Sequence, residues 1–221
     1  MSVSLLEFSD QDCLIGEQTI LQKVSLRFTE GEKIALIGPS GAGKSTLLMA
    51  LHKQLRNTTA LCPQQLGLVD TLSVYHNIYM GQLENHSSLY NLWNLLKPLA
   101  SHHKAISEMA QPLGLDKLLH KPITQLSGGE RQRVALARAL YRKQTIFMGD
   151  EPVSSLDVNQ GQQLLIHILK QHRSAVVALH NPELALSAFN RIVGLRAGKI
   201  VFDQPASTLN SEQVHRFYLG E

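Results

Sequence analysis

The stretch Gly38-Pro39-Ser40-Gly41-Ala42-Gly43-Lys44-Ser45 fits G-x-x-x-x-G-K-[ST], and its residue types suit a phosphate. Glycines let backbone approach an anion closely and adopt conformations that a Cβ would block. The N–H groups of such a loop, and of the helix it opens, then point at the anion. Lys44 offers a point charge to β and γ phosphates, Ser45 offers a hydroxyl to Mg²⁺, and Thr46 begins the helical pattern that follows. A glycine-rich turn that binds nothing explains neither the Lys-Ser pair nor the apolar run over 34–37 before it. Alone, the loop specifies a nucleoside phosphate and no more.

Two further groups of chemical residues stand at the ends of apolar runs. The run 145–149 ends in Asp150-Glu151, and the run 174–179 ends in His180. In open α/β sheets ligands sit beyond the carboxyl ends of strands, so one site could collect all three. Asp150 suits a Mg²⁺-linked carboxylate, held directly or through water, and Glu151 a group that orients or deprotonates an attacking water. His180 could contact the γ-phosphate. Each has a plainer reading: Asp150-Glu151-Pro152 as a polar turn, His180-Asn181-Pro182 as a helix start. Their joint occurrence downstream of the phosphate loop favours the chemical reading.

These groups need a scaffold, and the pattern supplies one. Strands are predicted over 3–8, 24–28, 34–37, 58–62, 145–149 and 174–179, with a hairpin 192–195/199–202 around Ala197-Gly198. Helices are predicted over 46–55, 131–141, 159–172, 182–188 and 211–219. The alternation argues for a parallel sheet. Between them, 72–119 reads as an all-helical insert of three or four short helices, with Pro98 and Pro112 as breakers. Within it Trp93 reads as a packing residue, and His102-His103 as surface polar residues. The arginines Arg131, Arg133, Arg138 and Arg142 read as a solvated helix face.

The totals set limits. With 221 residues the chain suits one α/β domain with an inserted subdomain. A net charge of +3, with no long basic run, gives no reason to expect nucleic acid. Cys13 and Cys62 have no metal or redox spacing and read as buried or half-buried thiols of a reducing compartment. The N-terminus does not read as a signal peptide. No apolar stretch approaches the ~20 residues of a membrane span. The expectation is a cytoplasmic chain, free or held at a membrane by a partner.

With these residues in this order, the chain resembles the ATP-binding cassette ATPase family from about 21 to 202. Leu126-Ser127-Gly128-Gly129-Glu130 resembles that family's signature motif, Ser154-Ser155-Leu156-Asp157 its D-loop, Gln64 its Q-loop glutamine and His180 its switch histidine. The resemblance implies ATP and Mg²⁺ as cofactors and ATP hydrolysis as the activity. It implies ATP binding by Gly38 through Thr46, catalysis by Glu151, His180 and Gln64, and metal ligation through Ser45, Gln64 and Asp150. Two such domains would pack head to tail, each ATP lying between one loop and the other copy's Ser127, Gly128, Gly129 and Glu130, with Ser155, Leu156 and Asp157 as the D-loop. A hydroxyl and glycine amides at a helix start make a second anion site. The implied partners are a second copy, membrane permease subunits and, indirectly, a solute-binding protein, with the chain peripheral on the inner face of the cell membrane. Stretches 68–74 and 191–203 resemble phosphonate-importer ATPases, which implies phosphonate or a related oxyanion. The alternative is a soluble cassette ATPase in repair, translation or regulation. A single cassette, and no sustained heptads between Gln64 and Ser127, favour the importer. A small-molecule kinase would leave 126–130 without a role.

Two departures from the resembled family fall together. Its adenine-stacking aromatic is missing near Cys13-Leu14-Ile15, and Lys44 and Gln64 stand only 20 positions apart, roughly half the family's spacing. The expected fold class is therefore α/β, a P-loop NTPase sheet with a helical insert and a reduced antiparallel β-subdomain. It forms one domain over 1–221, with the helical subdomain at about 72–142. An open adenine side predicts lax choice of base. Finally, Leu66, Leu68, Val69, Leu72, Val74, Tyr75, Leu89, Tyr90, Leu92 and Trp93 crowd the region after Gln64. Part of this set should build the insert's core, and the rest should leave a groove for a membrane partner.

Overall fold

The computed structural model of the chain describes residues 3–219, and of Ile15 the backbone only. The chain forms two compact units. One comprises the chain through 61 with 145–151 and 165 onward, the other 62–144 with 152–164.

The first unit opens with a two-stranded antiparallel ribbon, β1 (Ser4–Ile15) and β2 (Gln18–Thr29). Val24, Leu26 and Phe28 alternate inward along β2 while Ser25 and Arg27 face out, the pattern of a sheet with one buried face. The sequence predicts a first strand over 3–8. The structure extends it to Ile15. Its register slips at several points, and side chains bridge there. Ser25 Oγ accepts from the Asp10 N–H at 3.0 Å and Asp12 Oδ1 from the Lys23 N–H at 2.7 Å. Next come the buried β3 (Lys33–Ile37), helix α1 (Lys44–Leu55) and β4 (Thr59–Cys62).

The second unit holds α2 (Val74–Tyr79), α3 (Ser88–Leu96), α4 (Ala100–Ala110) and α5 (Gly128–Tyr141), linked by short 3₁₀ turns. Ser73, Ser87 and Ser127 cap α2, α3 and α5 through their hydroxyls. Three expectations fail here. His102 is not a surface residue: it is 8% exposed, with Nε2 2.9 Å from the Tyr90 hydroxyl and Nδ1 2.6 Å from that of Tyr141. Trp93 is not a packing residue: it is 59% exposed. The reason lies in Asn94, the buried residue of α3, whose Oδ1 accepts from the Tyr75 hydroxyl and the Leu99 N–H, both at 2.9 Å. The polar face of α3 thus turns inward and Leu89, Leu92, Trp93 and Leu96 turn outward. Arg138, finally, is not on a solvated face. Its guanidinium donates to the carbonyls of Leu66 and Gly67, the latter at 2.7 Å.

The chain continues with β5 (Ile146–Asp150), α6 (Val158–Gln171), β6 (Ser174–Ala178), α7 (Pro182–Ala188), β7 (Arg191–Arg196), β8 (Lys199–Pro205) and α8 (Ser211–Leu219). Strand order in the six-stranded sheet is β4-β5-β6-β3-β7-β8. β3 runs parallel to both neighbours, β5 runs parallel to β6, and β8 turns back antiparallel to β7. The turn between β7 and β8 has positive φ at both Ala197 and Gly198, a geometry that matches hairpin twist. The central strands are buried along their length, as a parallel sheet requires. The result is the expected α/β P-loop sheet accompanied by a small antiparallel ribbon.

Candidate functional site

The glycine loop leaves the carboxyl end of β3 and closes onto α1. Gly38 has φ 147°, and a Cβ there would meet the Leu195 carbonyl oxygen at 2.1 Å. Gly43, at φ 101°, is the N-cap of α1, and a Cβ there would meet Leu21 at 2.5 Å. Gly38 is therefore required by close approach to backbone as well as by its conformation, and Gly43 chiefly by its positive φ. Lys44, the first residue of α1, is 6% exposed, and its Nζ donates to the carbonyls of Gly38 at 2.7 Å and Pro39 at 3.1 Å. Ser40, Gly41 and Ser45 are exposed, Ala42 is buried and Thr46 half-buried. The loop is also gripped from the β7–β8 turn. The Gly198 N–H donates to the Ala42 carbonyl at 3.2 Å, and the Gly198 carbonyl accepts from the Gln22 N–H at 2.9 Å.

The strand register brings the other two groups to the same sheet edge. Ala178 of β6 stands opposite Leu36 of β3 on one side and Asp150 of β5 on the other. One residue on, the Leu179 N–H donates to Leu36 O, and the Glu151 N–H to Ala178 O, both at 3.0 Å. Glu151 adopts φ 51°, a left-handed conformation that a non-glycine residue holds at a cost of about 1–2 kcal/mol. That turn aims its Oε1 to 2.6 Å from His180 Nε2. Burial pushes the Lys44 ammonium below its ordinary value, while the Glu151 and Asp150 carboxylates push it back up. Asp150 is 6% exposed, and its Oδ1 has no hydrogen-bond partner among the described residues. A buried carboxylate oxygen left open, with an exposed serine hydroxyl on the first turn of α1, fits a hard cation such as Mg²⁺, which takes oxygen ligands. Lys44, Asp150, Glu151 and His180 thus share one strand edge with the loop.

The remaining predicted residues belong to the second unit. Ser127 caps α5 in a reciprocal capping box. Its Oγ accepts from the Glu130 N–H at 3.3 Å, and Glu130 Oε2 accepts from the Ser127 N–H at 2.8 Å. The Ser127 N–H and the Ser127 hydroxyl, both donating to Glu130 Oε2 at 2.8 Å, hold the Glu130 carboxyl below the usual carboxylate range. Gly128 and the half-buried Gly129 follow, and a Cβ on Gly129 would come within 3.2 Å of the Ser155 carbonyl. The D-loop therefore packs directly on the start of α5. Buried Gln132 makes this joint: its Oε1 accepts from the Ser155 N–H at 2.7 Å and its Nε2 donates to Ser154 Oγ at 3.3 Å. Sequence reading passed over Gln132. Its position five residues beyond Ser127, on the inward face of α5, was the available signal. Asp157 accepts from the Gln160 N–H at 2.9 Å and starts α6, with Leu156 half-buried beside it. Gln64 is exposed, on the segment after β4 whose Leu66 and Gly67 carbonyls Arg138 holds.

On the base side, a cleft of about 950 Å³ lies between β1 and α1 and is contiguous with Ser45 and Thr46. Cys13, Leu14, Met49 and Lys53 line it. Phe8 also lines it but is 2% exposed, so it offers little ring face. The Ile15 side chain, near which the missing aromatic would fall, lies outside the described residues.

A family model described as "ABC transporter" matches residues 21–59 and 51–154. The phosphonates import ATP-binding protein PhnC of Wolinella succinogenes is 34% identical over 92% of this chain and 84% of its own length. The phosphite import ATP-binding protein PxtA of Stutzerimonas stutzeri is 36% identical over 93% of this chain and 83% of its own. Among solved structures, a dimeric ATP-binding cassette in a post-hydrolysis state bound to ADP and Pi aligns over 90% of this chain and 98% of its own, with TM-score 0.71 and 24% identity. An ABC transporter cassette in its ADP conformation aligns over the whole of both chains, with TM-score 0.74 and 20% identity. The structural likenesses carry the fold, and the sequence matches carry the kinship. This chain belongs to the ABC transporter family, as one of its ATP-binding cassettes.

Proposed function

We propose that this chain is the ATP-hydrolysing subunit of an importer, with phosphonate or a related oxyanion such as phosphite as the cargo. The observation that carries the ATPase part is the shared edge of β3, β5 and β6, which gathers a phosphate loop, an open buried carboxylate and a His-paired glutamate. The cargo rests on the kinship with PhnC and PxtA proteins.

In this reading Gly38 through Thr46 hold the triphosphate, with Lys44 moving its ammonium from loop carbonyls to phosphate oxygens. Ser45, Asp150 and Gln64 would hold Mg²⁺, which would supply neutralisation of phosphate charge. Glu151 orients and deprotonates the attacking water, and His180 fixes Glu151 and the γ-phosphate. Ser127, Gly128, Gly129 and Glu130 of a second copy complete the site, and Ser155, Leu156 and Asp157 link the two. The chain acts as a single cassette domain whose helical part spans about 72–142. It works on the inner face of the cell membrane, bound to permease subunits and served indirectly by a solute-binding protein. No described helix is long and apolar enough to cross a membrane, so the permease supplies the channel. Docking falls to the outward face of α3, where Leu89 is 81% exposed and Trp93 59%.

Uptake of labelled methylphosphonate and phosphite by cells producing this chain with its permease and binding protein tests the proposal. Uptake should require ATP and fall to background with Glu151→Gln. Uptake that proceeds unchanged in the absence of the chain overturns the importer assignment.

A further inference from the structure

We propose that Tyr218, near the end of α8, is a positioning residue of the nucleotide loop, acting through a hydrogen bond from the Gly38 N–H to its hydroxyl. The bond measures 3.2 Å. It spans 180 positions of sequence, and nothing in the loop motif calls for it.

The first peptide groups of the loop are held from three directions. The Leu195 carbonyl of β7 presses on the Gly38 Cα, leaving no room for a side chain. Lys44 Nζ holds the Gly38 carbonyl. Tyr218 takes the N–H. Gly38 is buried, and a buried backbone N–H without an acceptor is costly, so the hydroxyl fills an obligatory place. The loop's path from β3 thus depends on a helix more than 170 residues downstream.

That helix is built to hold the tyrosine still. Asn210 and Gln213 cap α8 reciprocally, each side-chain oxygen accepting from the other's N–H, at 2.8 and 2.9 Å. Buried Phe217 packs edge-on against Phe202 at 4.9 Å, and the Arg196 guanidinium lies 4.9 Å from the Phe217 ring centre. Phe202 in turn covers Gly194 of β7, where a Cβ would meet its ring at 2.3 Å. Burial raises the Tyr218 phenol above its ordinary value, opposed by the Gly38 amide, so the hydroxyl stays neutral and remains an acceptor at physiological pH. Lys44 Nζ rests on the Gly38 and Pro39 carbonyls. Fixing Gly38 on its amide side therefore fixes the cradle from which Lys44 reaches phosphate.

The inference rests on the ATPase reading, and the experiment separates the two. Wild type and Tyr218→Phe are compared for Mg-ATP affinity, for KM and kcat of hydrolysis, for melting temperature without nucleotide, and for hydrogen exchange of the Gly38 amide. The variant keeps the ring and removes only the acceptor. Its KM and Kd for ATP should rise about two- to tenfold, the worth of one hydrogen bond. Its kcat should change less than its KM, the Gly38 amide should exchange faster, and the melting temperature should fall modestly, because the buried N–H loses its acceptor. Unchanged KM, Kd and Gly38 exchange overturn the positioning role, as does a lower melting temperature with KM intact, which marks a packing role alone. A wild-type chain that fails to bind Mg-ATP overturns the ATPase reading instead.

Discussion

At the scale of the residue, the site depends on side chains held in positions they would not choose unaided. Glu151 accepts a left-handed backbone, and that geometry turns its carboxylate toward His180 instead of continuing along β5. Lys44 is nearly buried and leans on carbonyls of its own loop. The two residues have separable duties. Glu151→Gln should keep Mg-ATP affinity near wild type and cut turnover by at least the ~10²-fold typical of losing a general base. Lys44→Ala should lose binding as well, because the loop amides remain but the mobile charge does not. Calorimetry with Mg-ATP alongside a phosphate-release assay reads both. Normal turnover in Glu151→Gln would remove Glu151 from the base role.

At the scale of the element, α3 and α4 are the places where pattern and structure part. On α3, nine residues rich in leucine bury an asparagine and expose the leucines. If the permease covers that face, Leu89→Glu and Trp93→Glu should release the chain from membranes that contain the permease while leaving ATP affinity intact. Membrane fractionation checks this, and retention of both variants would place docking elsewhere. On α4, burial holds the His102 imidazole below its ordinary 6.5, with His86 and Lys143 adding to the effect. The sign follows from linkage. Below about pH 6.5 the unfolded chain takes a proton that the folded chain resists, so this contribution is complete above that pH and shrinks on acidification. It levels off only below the folded value. His76 and His172 are lowered in the same direction, again chiefly by burial. His102→Gln should therefore reduce, without abolishing, the fall in melting temperature between pH 7.5 and 5.5. An equal fall in both proteins would show that His102 does not carry the effect.

At the scale of the whole molecule, 20 positions separate Lys44 from Gln64, and the cleft between β1 and α1 is where that short connection bears on function. A purine bound beside Thr46 would lie in a space several times its own size, lined by Leu14, Met49 and Ala50 and by polar side chains such as Asp12, His52 and Lys53 that are at least partly exposed. Strong rejection of a wrong base needs rigid polar groups left unpaired by it, and this cleft offers none that is buried. ATP and GTP affinities should then agree within about tenfold, or roughly 1.4 kcal/mol. Titration of each Mg-nucleotide decides the matter, and a hundredfold preference for ATP would mean that other residues read the base.

The sequence by itself determined the parts whose chemistry is local. A phosphate loop needs its glycines, lysine and serine in consecutive order, so Gly38 through Ser45 could be read directly. So could Asp150-Glu151 and His180, because apolar runs of five or six residues mark buried strands and the polar residue ending each lies at the sheet's edge. The body of α5 was legible from Arg131 on, while its start at Gly128, capped by Ser127 and Glu130, came only with the structure. Tertiary structure alone decided the rest, because those outcomes depend on partners distant in sequence. β1 continued past a polar stretch because β2 supplied Ser25 and Lys23 as partners. α3 turned its leucines outward because Tyr75 needed the Asn94 carboxamide. Arg138 left the solvent for the carbonyls of Leu66 and Gly67, some 70 positions earlier. Gln132 found the D-loop, and Tyr218 found Gly38. Composition and periodicity report how much apolar surface a segment must bury. They carry no record of which buried donor, far along the chain, still lacks an acceptor, and that shortage set the positions of these side chains.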